Sequence, residues 1–112
     1  MEILKSLKNS DVIRDFTILE YRTFKLGFYI KVRAELINSS TLIITEYSDE
    51  SERNYSYQWQ SLDGKTIERW DNAPHHKNIS TYPHHKHRDD KVLSSEEITL
   101  EDILKHIRQI IK

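Results

Sequence analysis

Gly27-Phe28-Tyr29-Ile30-Lys31-Val32-Arg33-Ala34-Glu35-Leu36 decides the fold. Within it Phe28, Ile30, Val32, Ala34 and Leu36 alternate with Tyr29, Lys31, Arg33 and Glu35, the two-residue period of a strand with one buried face. Upstream, Asp15 to Phe24 is rich in β-branched and aromatic residues, and Gly27 is expected to supply the unusual backbone angles of a tight reversal between the two strands. Downstream, Asn38-Ser39-Ser40 reads as a short turn into a strand from Thr41 to Tyr47. The charged stretch Ser48 to Glu52 reads as a loop before a further strand, Arg53 to Gln60. Tyr55, Tyr57 and Trp59 share one face of that strand, with Ser56, Gln58 and Gln60 on the other. Asp63-Gly64 then marks a hairpin turn into Lys65 to Asp71.

These signals predict an α+β fold, with an antiparallel meander of about five strands over residues 13–71. A sheet with one apolar face needs cover, and the chain offers helices on either side of it. Thr99 can cap a helix over 99–112, Ile98 can staple onto Ile103, and Ile103, Leu104, Ile107, Ile110 and Ile111 form a stripe at helical spacing. A shorter helix from Glu2 to Lys8 would turn Ile3, Leu4 and Leu7 inward. Between sheet and last helix, residues 72–90 read as a long histidine-rich loop containing Pro74 and Pro83. Long irregular segments of this kind are commonly functional.

The 112 residues carry 17 Lys+Arg against 18 Asp+Glu and no cysteine, which fits one domain, 1–112, with a single core. Lack of cysteine excludes disulfides, thiolate zinc sites, iron–sulfur clusters and thiol nucleophiles, and suits a cytoplasmic location. No apolar run approaches the roughly 18 residues of a membrane span, and Met1 to Ser10 lacks the apolar block of a secretory signal. The net charge of -1 withholds the global basic signal of a non-specific nucleic-acid binder. Local charge differs: Arg69 to Lys91 holds five Lys/Arg, three Asp and five of the six histidines. That stretch becomes cationic below roughly pH 6.5.

Chemistry concentrates in Arg69-Trp70-Asp71-Asn72-Ala73-Pro74-His75-His76 and Tyr82-Pro83-His84-His85-Lys86-His87, where five histidines fall within thirteen residues. Three functional readings compete with a purely structural one. Paired imidazoles from His75, His76, His84, His85 and His87 could cleave RNA without a cofactor, one taking the ribose 2′-hydroxyl proton and another protonating the leaving oxygen. Arg69, Lys86 or Arg88 would then steady the phosphate, Asp71 would orient an imidazole, and Tyr57, Trp59 and Trp70 would stack bases if they face solvent. Alternatively a divalent metal could be held by His75, His84, His85 or His87 with Asp71 as carboxylate ligand, although the spacing matches no defined zinc motif. Adjacent histidines on an extended segment point to opposite sides, so one of each pair can join a given site. A third reading makes the loop a protein-binding surface. In the structural reading the rings hydrogen-bond carbonyls or remain solvated. Glu20 and Glu46 are further strand carboxylates, and His106 reads as a surface residue of the last helix.

Set side by side, Tyr55-Ser56-Tyr57-Gln58-Trp59-Gln60, Asp63-Gly64, Arg69-Trp70-Asp71-Asn72-Ala73-Pro74-His75-His76 and Pro83-His84-His85-Lys86-His87 resemble the TumE family of toxin–antitoxin proteins over residues 13–112. Gln58 departs from the histidine that relatives often carry there. The resemblance implies a toxin encoded beside a helix-turn-helix antitoxin that binds and neutralises it. With the residue chemistry, the leading expectation is a toxin acting as a metal-independent endoribonuclease on RNA. The alternative is a non-catalytic protein-interaction or metal-binding module. An uncovered edge strand would also allow a homodimer.

Overall fold

The computed structural model describes residues 1–112. The elements run α1 (Glu2–Asn9), β1 (Ile13–Phe24), β2 (Gly27–Leu36), β3 (Thr41–Ser48), β4 (Arg53–Gln60), β5 (Thr66–Asp71), β6 (His85–Arg88), β7 (Lys91–Ser94) and α2 (Leu100–Ile111). The strands form one antiparallel sheet in the order β1-β2-β3-β4-β5-β6-β7. Every strand pairs with its neighbour in sequence. The expected five strands are therefore seven, because the end of the histidine-rich segment joins the sheet as β6 and the residues that follow it form β7. Asp89 and Asp90 both take positive φ, 52° and 62°, at the two-residue reversal between Arg88 and Lys91. Aspartate tolerates this left-handed region better than most residues, and two such residues in succession suit the twist of a tight hairpin.

Cross-strand register sorts the side chains onto two faces. Ile30, Val32, Ala34 and Leu36 of β2 share a face with Leu42, Ile44 and Glu46 of β3, with Tyr55, Tyr57 and Trp59 of β4, and with Glu68 and Trp70 of β5. That face carries the buried core, closed by Ile3 and Leu7 of α1 and by Leu100, Ile103, Leu104 and Ile107 of α2. Thr99 caps α2: its hydroxyl accepts from the Asp102 N–H, and the Asp102 carboxylate accepts in return from the Thr99 N–H. Two orphan donors of the first turn are satisfied in this way.

Glycine acts differently at its two positions. Gly64, with φ of 85°, closes a turn in which its N–H donates to the Ser61 carbonyl. The connection between β4 and β5 is thus a five-residue loop, 61–65, with a register shift beside it, longer than the expected two-residue turn. Gly27 does not adopt positive φ, contrary to expectation. It is required by close approach, since a Cβ there would lie 2.1 Å from the Ser48 carbonyl oxygen and 2.7 Å from the Phe24 ring. Gly27→Ala is expected to destabilise the fold by about 1–3 kcal/mol through overpacking against backbone. Urea denaturation would read this as a lower midpoint with unchanged slope.

Candidate functional site

β5 and β6 lie side by side with Asp71 opposite His85 and Arg69 opposite His87. Alternation places these four side chains on the sheet face away from the helices. The same rule sends Lys86 to the helix face opposite Trp70. Gln58, opposite Arg69 on β4, extends the polar face and accepts a hydrogen bond from Arg69 Nη1 at 3.2 Å.

Asp71 is the hub and is only 4% exposed. Its Oδ1 accepts from the Ala73 N–H at 3.0 Å and lies 3.0 Å from His85 Nε2; its Oδ2 accepts from Arg69 Nε at 3.1 Å and lies 3.5 Å from His87 Nε2. The Ala73 bond turns the chain sharply off the strand, as an aspartate side chain does when it caps its own backbone two residues on. Asn72 fixes the same point from the other side, its carbonyl accepting from the Tyr55 N–H and its amide donating to the Arg53 carbonyl. The connector from Ala73 to His84 returns through successive turns, closed by His75, Ile79, Tyr82 and His84 N–H groups. Thr81 pins it by donating to the His84 carbonyl and accepting from the Ser95 N–H.

This path carries His76 over the strand pair. The rings of His76, His85 and His87 meet edge to face, with centroids 4.8 Å apart for His76–His85, 5.6 Å for His76–His87 and 4.9 Å for His85–His87. One nitrogen of each lies within 4.8 Å of the others. His85 is buried and its Nδ1 is 2.9 Å from the Pro83 carbonyl, while His87 is 35% exposed. Burial holds the His87 imidazole below its ordinary pKa, with His85, Arg69 and His76 pushing the same way and Asp71 opposing. The cluster opens into a hollow of about 1010 Å³ that also receives Lys65, Arg88 and the exposed His75.

The structure therefore divides the predicted residues. Asp71, Arg69, His76, His85 and His87 come together, with His75 on the rim. His84 stands elsewhere: it stacks on Tyr55 and its Nδ1 is 2.8 Å from the Tyr55 hydroxyl. Tyr57, Trp59 and Trp70 are 0%, 2% and 3% exposed, so their rings belong to the core and are not open to stacked bases. Lys86 and Arg88 each approach Glu68 at 4.0 Å. That glutamate is buried on the helix face and is held through its other oxygen by His106 at 2.7 Å. His106 is accordingly a half-buried partner of the sheet, packed edge-on against Trp70, and not a plain surface residue.

The two other strand carboxylates also separate. Glu20 is exposed and paired with Arg22. Glu46 faces the core, where it accepts from Arg53 Nε at 3.0 Å and from the Tyr57 hydroxyl at 2.9 Å. Sequence reading passed over Asn72 and Glu68. The only hint of Asn72 was its place after Trp-Asp, and Glu68 showed itself only as a charge at an inward strand position.

No helix is long and apolar enough to cross a membrane. No curated protein and no solved structure matches the chain. A model of the toxin TumE family matches residues 3–112, a span that includes α1 from its second residue, all seven strands, α2 and every residue of the histidine cluster. The chain belongs to the TumE toxin family.

Proposed function

We propose that this toxin acts by cleaving RNA at the His76–His85–His87 cluster. The observation that carries the reading is the placement of one buried carboxylate, Asp71, behind two imidazoles, with a third ring packed edge-on against them at the mouth of an open hollow. An imidazole backed by a carboxylate is held in one orientation, and one kept neutral by burial has a free lone pair with which to accept a proton. His87 is that group: Asp71 stands at its Nε2, leaving the other ring nitrogen for substrate. It would take the proton of a ribose 2′-hydroxyl as the 2′-oxygen attacks the adjacent phosphorus. His76 would give a proton to the 5′-oxygen as its bond to phosphorus breaks, leaving a 2′,3′-cyclic phosphate and a 5′-hydroxyl. The buried His85 positions the other two. Arg69, 42% exposed beside Asp71, would hold the phosphate, whereas the Arg88 side chain turns toward Glu68 on the helix face. The partner expected of a toxin is an antitoxin, here proposed to be a helix-turn-helix protein.

Incubating the purified, untagged protein with single-stranded RNA in EDTA tests this. The expected products end in cyclic phosphate, and a substrate with 2′-deoxyribose at the cleaved position resists. Cleavage of the deoxy substrate, or activity only when a metal is added, would exclude the proposed chemistry.

A further inference from the structure

His85 presents an unpaired requirement. Its Nδ1 faces the Pro83 carbonyl at 2.9 Å and its Nε2 faces Asp71 Oδ1 at 3.0 Å. Both neighbours are acceptors, whereas a neutral imidazole has one N–H to give. With Nδ1–H committed to the carbonyl, the Nε2 lone pair points at a carboxylate oxygen, and a cation must stand between them. A proton would meet the need of that pair alone. One ring nitrogen each of His76, His85 and His87 lies within 4.8 Å of the others, so the space is framed by three imidazoles, with Asp71 behind two of them. That donor set suits a tetrahedral ion of the zinc class. The Pro83 carbonyl is the outer partner that metal-binding histidines usually have, fixing the tautomer with Nε2 free to coordinate. A tetrahedral zinc site has ligand atoms about 3.4 Å apart, so small ring rotations close the set.

The geometry points to a regulatory metal site: His76, His85 and His87 bind one divalent zinc-class ion with Asp71 behind two of them, and the bound ion silences RNA cleavage because an imidazole coordinated through one nitrogen keeps its N–H on the other and can no longer exchange a proton there. The binding half stands on geometry alone, and the silencing half rests on the ribonuclease reading above. His75 and His84 lie outside the set, which separates this site from adventitious capture by a histidine-rich segment.

Zinc chloride is titrated into untagged, EDTA-stripped and dialysed protein against a chromophoric chelator, with magnesium chloride as a second arm. One equivalent of zinc is expected to bind and magnesium none, since the latter prefers oxygen ligands. His76→Gln, a change in the half-exposed connector, should weaken zinc binding by more than about 10-fold, while His75→Ala and His84→Ala leave it unchanged. Imidazole proton resonances of the wild-type protein give a reading independent of variant folding: those of His76, His85 and His87 shift with zinc and that of His106 does not. Equal loss in all three variants, or shifts spread over every histidine, would overturn the assigned site. Zinc-loaded protein should cleave RNA at least about 10-fold more slowly than stripped protein. Faster cleavage on loading would overturn the silencing role, and zinc binding by a protein that cleaves no RNA in either state would leave the metal site standing while removing the ribonuclease reading.

Discussion

Replacing His87 with alanine is expected to lower the rate of RNA cleavage by about 10²–10⁴-fold, the usual contribution of a positioned acid or base. Lys86→Ala, one residue away, should leave the rate within a few-fold. The contrast follows from strand alternation. His87 shares the Asp71 face, while Lys86 turns to the helix side near Glu68. A single-turnover assay at saturating protein separates the chemical step from binding, and circular dichroism confirms that both variants fold. Equal losses in the two variants would mean that the segment acts through overall charge, and the proton-transfer role of His87 would be lost with that result.

The second large effect concerns stability. Tyr57 is fully buried between the sheet and the helices, and its hydroxyl donates to Glu46 Oε2 at 2.9 Å while accepting from Arg53 Nη2 at 2.8 Å. Burial raises the pKa of that hydroxyl above its ordinary range, so it stays a neutral donor. Arg53 in turn donates to the Ile98 carbonyl and to Glu97, just before α2. Tyr57→Ala should therefore cost about 3–5 kcal/mol, from lost burial and the cavity left behind. Tyr57→Phe keeps the ring but leaves the Glu46 oxygen short of a donor, for about 1–3 kcal/mol. Chemical denaturation resolves the two. A phenylalanine variant as stable as wild type would show that the hydroxyl is dispensable and that packing alone seats the helix.

Much of this architecture was legible from residue order. The alternation in β2, the aromatic face of β4 and the Thr99 cap each reflect a local rule with little competition from tertiary contacts. The last hairpin was not legible, because His-Lys-His-Arg lacks the β-branched and aromatic residues that favour strands. Its turn is made by Asp89-Asp90, with no glycine to announce it. The site was readable as a cluster but not as an arrangement. Opposed directions for adjacent histidines correctly require His84 and His85 to part, yet which of them faces Asp71 depends on the register between β5 and β6. Pairing positions so distant along the chain is a tertiary choice that spacing does not encode. The burial of Trp59 follows from the shared apolar face of its strand, whereas that of Trp70 depends also on the edge-on contact with His106 of α2, which a strand pattern cannot place.

The unbroken neighbour-to-neighbour order of the sheet bears on how the protein is made. A chain leaving the ribosome finds the partner of each new strand already outside the exit tunnel, so the sheet can grow without waiting for distant pairing. Asp71 emerges before them, but His85 and His87 are fixed beside it only when the Asp89-Asp90 reversal has followed. Nascent toxin thus lacks its histidine centre until the last hairpin of the sheet has emerged.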